Sequence, residues 1–290
     1  MSVFVSSEEL RQQIRTGQKL TVLASLWDGR VGYAWSKFQS EHIPTAQFCD
    51  PSDHLVGTPG SRVGRNPLPS AELLQESFRA WGIEEGRPVV VYDSGTGVFA
   101  ARVWWTLRWA GVRDVHILDG GFRAWEDAGF DTVAGPGPVS VRTELDVEPG
   151  QLPTATIDDV RAFKGMLIDA RDTSRFVGQR ERLDLKSGHI PGAQTVPVDL
   201  LFTEDRKIKP ASEILETMAK FGITHETDPA EAIVYSGSGN HSAKLLAAFA
   251  HAGLPVLTHY IGGWSQWSAD VRNPVCLLYT SDAADDIALV

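Results

Sequence analysis

Cysteine is nearly absent: the 290 residues hold two, Cys49 and Cys276. That excludes a disulfide framework and a cysteine-rich metal site. No metal or organic cofactor is expected. Positive charge is also short, with 27 Lys and Arg against 37 Asp and Glu, for a net charge of -10. A chain of that balance repels the phosphates of nucleic acid, so no nucleic-acid partner is expected. No apolar run approaches the ~20 residues that a membrane-spanning helix needs. The opening stretch, residues 1–9, has no basic segment followed by an apolar one, so no signal peptide is expected and the expected compartment is the cytoplasm.

The most informative stretch runs from Ala232 to Ala243. Ile233 and Val234 are β-branched and apolar, as a strand buried on both faces requires. Ser236-Gly237-Ser238-Gly239-Asn240-His241 is a tight loop, and the residues from Ser242 through Phe249 favour a helix. Such a strand–loop–helix unit turns backbone N–H groups and the positive end of a helix dipole toward an anion. Ser236 occupies the mouth of the loop, where a nucleophile would stand.

The chain also repeats itself. A capped helix ending at Gly17 has a partner beginning at Thr156 and ending at Gly165. His42-Ile43-Pro44 returns as His189-Ile190-Pro191, and Ser70 to Gly82 returns as Ala211 to Gly222. Val91-Tyr92 with the loop Asp93-Ser94-Gly95-Thr96-Gly97 returns as Val234-Tyr235 with its own loop. Gly120-Gly121-Phe122 returns as Gly262-Gly263-Trp264. Repetition in one order argues for duplication. Each half alternates helix and buried strand, which predicts an α/β fold of two tandem domains, each a mostly parallel sheet flanked by helices. In such sheets the ligand site lies at the carboxyl ends of the strands. The expected division is a first domain over residues 1–135, a linker over 136–153, a second domain over 154–275 and a tail, 276–290, foreign to the repeat. Pro51 to Pro69, rich in Gly, Pro and Ser, is expected to be a loop.

These residues resemble the tandem-domain rhodanese family, the thiosulfate and 3-mercaptopyruvate sulfurtransferases. The likeness covers roughly residues 5–275. It rests on Asp169-Ala170-Arg171, His189-Ile190-Pro191-Gly192-Ala193, Tyr235 with its glycine loop, Gly262-Gly263-Trp264, and the degenerate first copy. It implies sulfur transfer through a persulfide on a loop cysteine of the second domain, with a small sulfur-bearing anion (thiosulfate or mercaptopyruvate) as donor and a thiol or cyanide as acceptor. It implies that Gly237, Ser238, Gly239, Asn240, His241 and Arg171 bind the anion. The first copy, with Asp93 at the nucleophile position, matches the family's inert pattern.

The chain departs from that pattern at its centre, because the cysteine position is Ser236. An alcohol ionises far above the thiol's ~8.5 and forms no S–S bond. Two readings therefore stand: a sulfurtransferase whose activity the serine puts in question, and a catalytically silent rhodanese that binds an oxyanion or a partner. A third, a hydrolase using Ser236 with His241 as base, has weaker support, since no strand–Gly-x-Ser-x-Gly–helix elbow is present. Arg175, His189 and the Trp104, Trp105, Trp109 cluster are expected to be structural. Arg62 and Arg65 stand as lesser candidates to reach the cleft between the domains.

Overall fold

The computed structural model describes residues 2–141, 143 and 145–277. The first domain carries strands β1 (Phe4–Val5), β2 (Thr21–Ser25), β3 (Ala46–Cys49), β4 (Val89–Tyr92) and β5 (Val115–Leu118). Its helices are α1 (Ser7–Arg15), α2 (Tyr33–Ser40), α3 (Pro51–His54), α4 (Ala71–Trp81), α5 (Val98–Trp109) and α6 (Gly121–Asp127). The second domain carries β6 (Met166–Asp169), β7 (Ala193–Thr195), β8 (Ala232–Tyr235) and β9 (Thr258–Tyr260). Its helices are α7 (Ile157–Ala162), α8 (Thr173–Phe176), α9 (Ala211–Ala219), α10 (Asn240–His251) and α11 (Gly263–Trp267).

Both sheets are parallel, ordered β1-β5-β4-β2-β3 and β7-β6-β8-β9. Equivalent strands hold equivalent registers: Leu23 faces Val91 in the first sheet and Ile168 faces Val234 in the second. β4 and β8 are therefore central strands covered on both faces, which is why their sequences are unbroken apolar runs.

The duplication extends to side-chain detail. His42 and His189 each place Nδ1 2.8 Å from a carbonyl, of Phe38 and Phe176 respectively, and each stacks on that phenylalanine. Each following N–H, of Ile43 and of Ile190, donates to the tyrosine that ends the central strand, Tyr92 or Tyr235. His189 is thus a structural pin, as expected.

One local outcome differs from the sequence reading. Pro51–His54 is a turn of helix inside the stretch expected to be loop, because Asp50 accepts the N–H of Ser52 and Pro51 sits at the first helical position, where its missing N–H costs nothing. Cys276, assigned by sequence to the tail, exchanges two 3.0 Å backbone hydrogen bonds with His189. The remainder of the expected tail, 278–290, lies outside the described residues. Residues 136–153 contain no helix or strand among those described. They lie along the first domain, where both ends of the Gln75 amide, and the backbone of Trp109 and Ala110, bond Leu145, Val147, Gln151 and Glu148.

The domains meet through α5 and α10, which pack on each other and share one continuous core. Trp104 and Trp105 are buried in it, and Trp105 sets its ring edge-on to His259 of the second domain at 4.7 Å. Truncating Trp105 to Ala leaves a cavity on both sides of this contact. The expected cost is about 3–5 kcal/mol, read as a lower midpoint in urea unfolding; a change below about 1 kcal/mol would show that the domains do not rely on this packing.

Candidate functional site

The second-domain loop is shaped from behind by α11. The carbonyls of Ser236 and Gly237 accept the N–H groups of Trp264 and Ser265, both at 2.8 Å. With its carbonyls turned to α11, the loop presents its N–H groups on the opposite side. Among the described residues no acceptor takes the N–H of any residue from Gly237 to Ser242. Those donors stand at the start of the 12-residue helix α10, whose dipole adds positive potential. Gly263 allows the close approach of α11: its φ is +55°, and a Cβ there would collide with the Ser236 carbonyl.

The first domain shows the same unit in a filled state. One oxygen of the buried Asp93 carboxylate accepts the N–H groups of Gly95 and Gly97 at 2.8 and 3.0 Å. The other accepts those of Phe99 and Ala100 and the Thr96 hydroxyl. An anion built into the chain satisfies the donors that the second copy leaves open. The first loop is one residue longer between strand and helix.

Over the second loop lies a cavity of about 360 Å³ between the domains. Gly237, Ser238, Asn240 and His241 line one side. Arg65, Asn66 and Arg102 enter from the first domain and Arg175 from the second. Arg65 Nη2 and Arg175 Nη1 both lie 3.2 Å from the point where a Cβ on Gly237 would stand. Two nearly buried carboxylates hold them there: Arg175 donates to Glu181 at 3.0 Å and Asp184 at 3.2 Å, and Arg65 donates to Asp184. Asn66 also bonds Ser238 at 2.9 Å. Trp27 and Phe99, 5.6 Å apart, give the cavity an apolar wall.

Arg171 requires a correction. It is 1% exposed and does not line the cavity. Its guanidinium is used on Asp169, at 2.6–3.0 Å, and on the Gly188 carbonyl at 2.7 Å. Arg175, four residues further on and within α8, takes the position over the loop. Of the two first-domain candidates Arg65 reaches the cavity. Arg62 does not; its carbonyl binds Gln266 at the far side of the loop.

Ser236 is fully buried, and its hydroxyl turns inward. Its Oγ is 3.0 Å from Ser242 Oγ, which is 2.6 Å from His259 Nε2. This chain was not foreseen from sequence. Its one sequence sign is a histidine in the middle of a short buried strand. Burial, reinforced by Arg102, holds the His259 imidazole well below its usual range, so it is neutral at pH 7. Its Nδ1 has no partner among the described residues, so no carboxylate orients it as a base. His241, the base considered from sequence, lines the cavity but makes no hydrogen bond with Ser236. The hydrolase arrangement is therefore not formed. Neither cysteine replaces Ser236: burial drives the Cys49 thiol far above its ordinary value, and Cys276 sits beside His189.

Comparison with known proteins agrees with this architecture. The rhodanese-like domain model matches residues 6–128 and 154–270. The chain is 36% identical over 251 residues to a probable 3-mercaptopyruvate sulfurtransferase of Pseudomonas aeruginosa, covering 84% of this chain and 87% of that one. It is 35% identical over 283 residues to the putative thiosulfate sulfurtransferase SseB of Mycobacterium tuberculosis, covering 94% and 96%. The crystal structure of SseA from Escherichia coli, a 3-mercaptopyruvate sulfotransferase by its description, superposes with a TM-score of 0.77 at 27% identity, covering 91% of this chain and all of that one. The chain belongs to the rhodanese family, in its two-domain sulfurtransferase branch. Among the described residues no helix is long and apolar enough to cross a membrane.

The loop's shape depends on Gly263. Gly263→Ala forces a side chain into the Ser236 carbonyl at a left-handed φ, and the expected penalty is about 2 kcal/mol or more. Thermal melting measures it; an unchanged midpoint would mean that α11 does not constrain the loop.

Proposed function

We propose that the second-domain loop binds a small sulfur-bearing anion such as thiosulfate or mercaptopyruvate, and that Ser236 stops the reaction at the bound complex. The observation that carries this reading is the row of open N–H donors from Gly237 to Ser242 beneath the Arg65 and Arg175 guanidiniums, beside a first copy in which Asp93 fills the same donors. Guanidiniums suit carboxylate and sulfonate groups, and backbone N–H groups suit a concentrated negative charge. In this reading Gly237, Ser238, Asn240 and His241 line the ligand, and Gly239, which does not line the cavity, contributes its backbone N–H.

The chemistry separates binding from transfer. A thiolate at position 236 attacks the outer sulfur of thiosulfate. One S–S bond forms and one breaks, sulfite leaves with its electron pair, and the enzyme holds R–S–S⁻. The loop N–H groups stabilise the anion at both stages. Cyanide then takes the terminal sulfur as thiocyanate and returns the thiolate. Ser236 interrupts the first step, since its hydroxyl stays protonated in a buried hydrogen-bonded chain and an O–S bond lacks the disulfide's stability.

Thiocyanate formation from thiosulfate and cyanide tests this directly. The unaltered protein is expected to run about 10³-fold or more below its Ser236→Cys variant. Equal rates in the two proteins would show that Ser236 is no block. No transfer by a folded Ser236→Cys variant, from thiosulfate or mercaptopyruvate, would show that the site has left sulfur chemistry altogether.

A further inference from the structure

The charges around the loop balance in all but one case. Arg171 is paired with Asp169, Arg175 with Glu181 and Asp184, and Arg65 with Asp184. Three guanidiniums thus face three carboxylates. Arg102 stands outside this set. It is 1% exposed, projects from α5 across the domain interface, and lines the cavity over the second loop. Its Nη2 donates to the Asn66 carbonyl at 3.0 Å. Its Nε and Nη1 have no partner among the described residues, and Nη1 lies 2.6 Å from the point where a Cβ on Gly239 would stand. Burial lowers its pKa to about 10, and it still carries its charge at pH 7. A buried cation with two open donors and no carboxylate is costly unless something negative arrives.

The duplication shows what is missing. Arg102 is the fifth residue of α5, and the fifth residue of α10 is Lys244. Lys244 is 3% exposed and crosses the interface the other way, its Cε lying 3.3 Å from the Cβ position of Gly97 in the first-domain loop. Each helix therefore sends a cation to the loop of the opposite domain. The loop that Lys244 meets contains the Asp93 carboxylate; burial lowers the Lys244 pKa below its ordinary value, and Asp199, Asp93 and Asp119 oppose that shift by favouring the charged form. The loop that Arg102 meets contains the neutral Ser236. One of two related cation–loop pairs has its anion in the chain; the other lacks it.

We propose that Arg102 is the first domain's contribution to the anion site of the second: its guanidinium supplies the counter-charge for a sulfur oxyanion held by the 237–242 loop, so the site is complete only while the two domains are docked. The inference rests on the anion-binding reading above and extends it to a residue of the other domain. Ligand binding then ties α5 to the N-terminus of α10.

Calorimetric titration with thiosulfate tests this, using the unaltered protein, Arg102→Gln and Arg102→Lys, with melting temperatures taken with and without thiosulfate. Gln keeps a donor for the Asn66 carbonyl but removes the charge, whereas Lys keeps the charge. Arg102→Gln is expected to bind about tenfold or more weakly. It is expected to melt no lower than the unaltered protein without thiosulfate, because a buried unpaired charge has been removed, and to gain less stability when thiosulfate is added. Arg102→Lys is expected to bind more tightly than Arg102→Gln. Equal affinity in Arg102→Gln and the unaltered protein overturns the role of Arg102 while leaving the anion site standing. So does a Gln variant that melts far lower without thiosulfate but gains as much from it, which marks Arg102 as a structural pin. Equally weak binding by Gln and Lys removes the charge argument. No binding by the unaltered protein removes the anion site itself, and the proposal with it.

Discussion

Backbone N–H groups at the start of a helix lack intrahelical acceptors and must find them elsewhere, and much of this molecule is arranged around two answers to that demand. The parallel sheets carry their central strands to the domain interface, where β4 and β8 end in Tyr92 and Tyr235 and turn into α5 and α10. At each turn a run of donors has no intrahelical acceptor. The first copy closes the account within the chain, with Asp93. In the second, Ser236 faces inward to Ser242 and His259, and the loop donors have no acceptor among the described residues.

The same demand explains the charges. Guanidiniums gather over the second loop, where the proposed anion meets them, and Glu181 and Asp184 hold two of them, Arg175 and Arg65, in place. Hydrogen-bonded carboxylates this close to the cavity do not occupy the loop, because each is already committed to an arginine. The loop's own selectivity follows. On the proposed reading, a ligand is small enough for a cavity of about 360 Å³, carries concentrated negative charge, and places an apolar part against Trp27 and Phe99.

Much of this was legible in the sequence. The duplication, the α/β class and the strand–loop–helix unit depend on local pattern: buried β-branched runs, glycine placement and the order of the repeated motifs. Such features are set by neighbours in the chain. The choice between arginines was not legible. Arg171 and Arg175 are both near the end of β6, and which one faces the loop depends on Asp169 capturing Arg171 through its backbone N–H and its guanidinium together. Arg65 was a candidate from sequence, but Arg102 was not, and no spacing along the chain reveals that the two converge on Gly237 and Gly239. His259 was missed because a single histidine in a buried strand reads as core until its partner, Ser242, is seen across the helix–sheet contact.

The central claim is that the second loop is an unfilled copy of the first. Ser236→Asp tests it most directly, because it places in the second loop the residue that fills the first. The account predicts a higher melting temperature than that of the unaltered protein in buffer free of oxyanions, together with loss of thiosulfate binding, since the new carboxylate takes the open N–H groups and faces Arg102. A variant that melts lower and still binds thiosulfate as the unaltered protein does would contradict it.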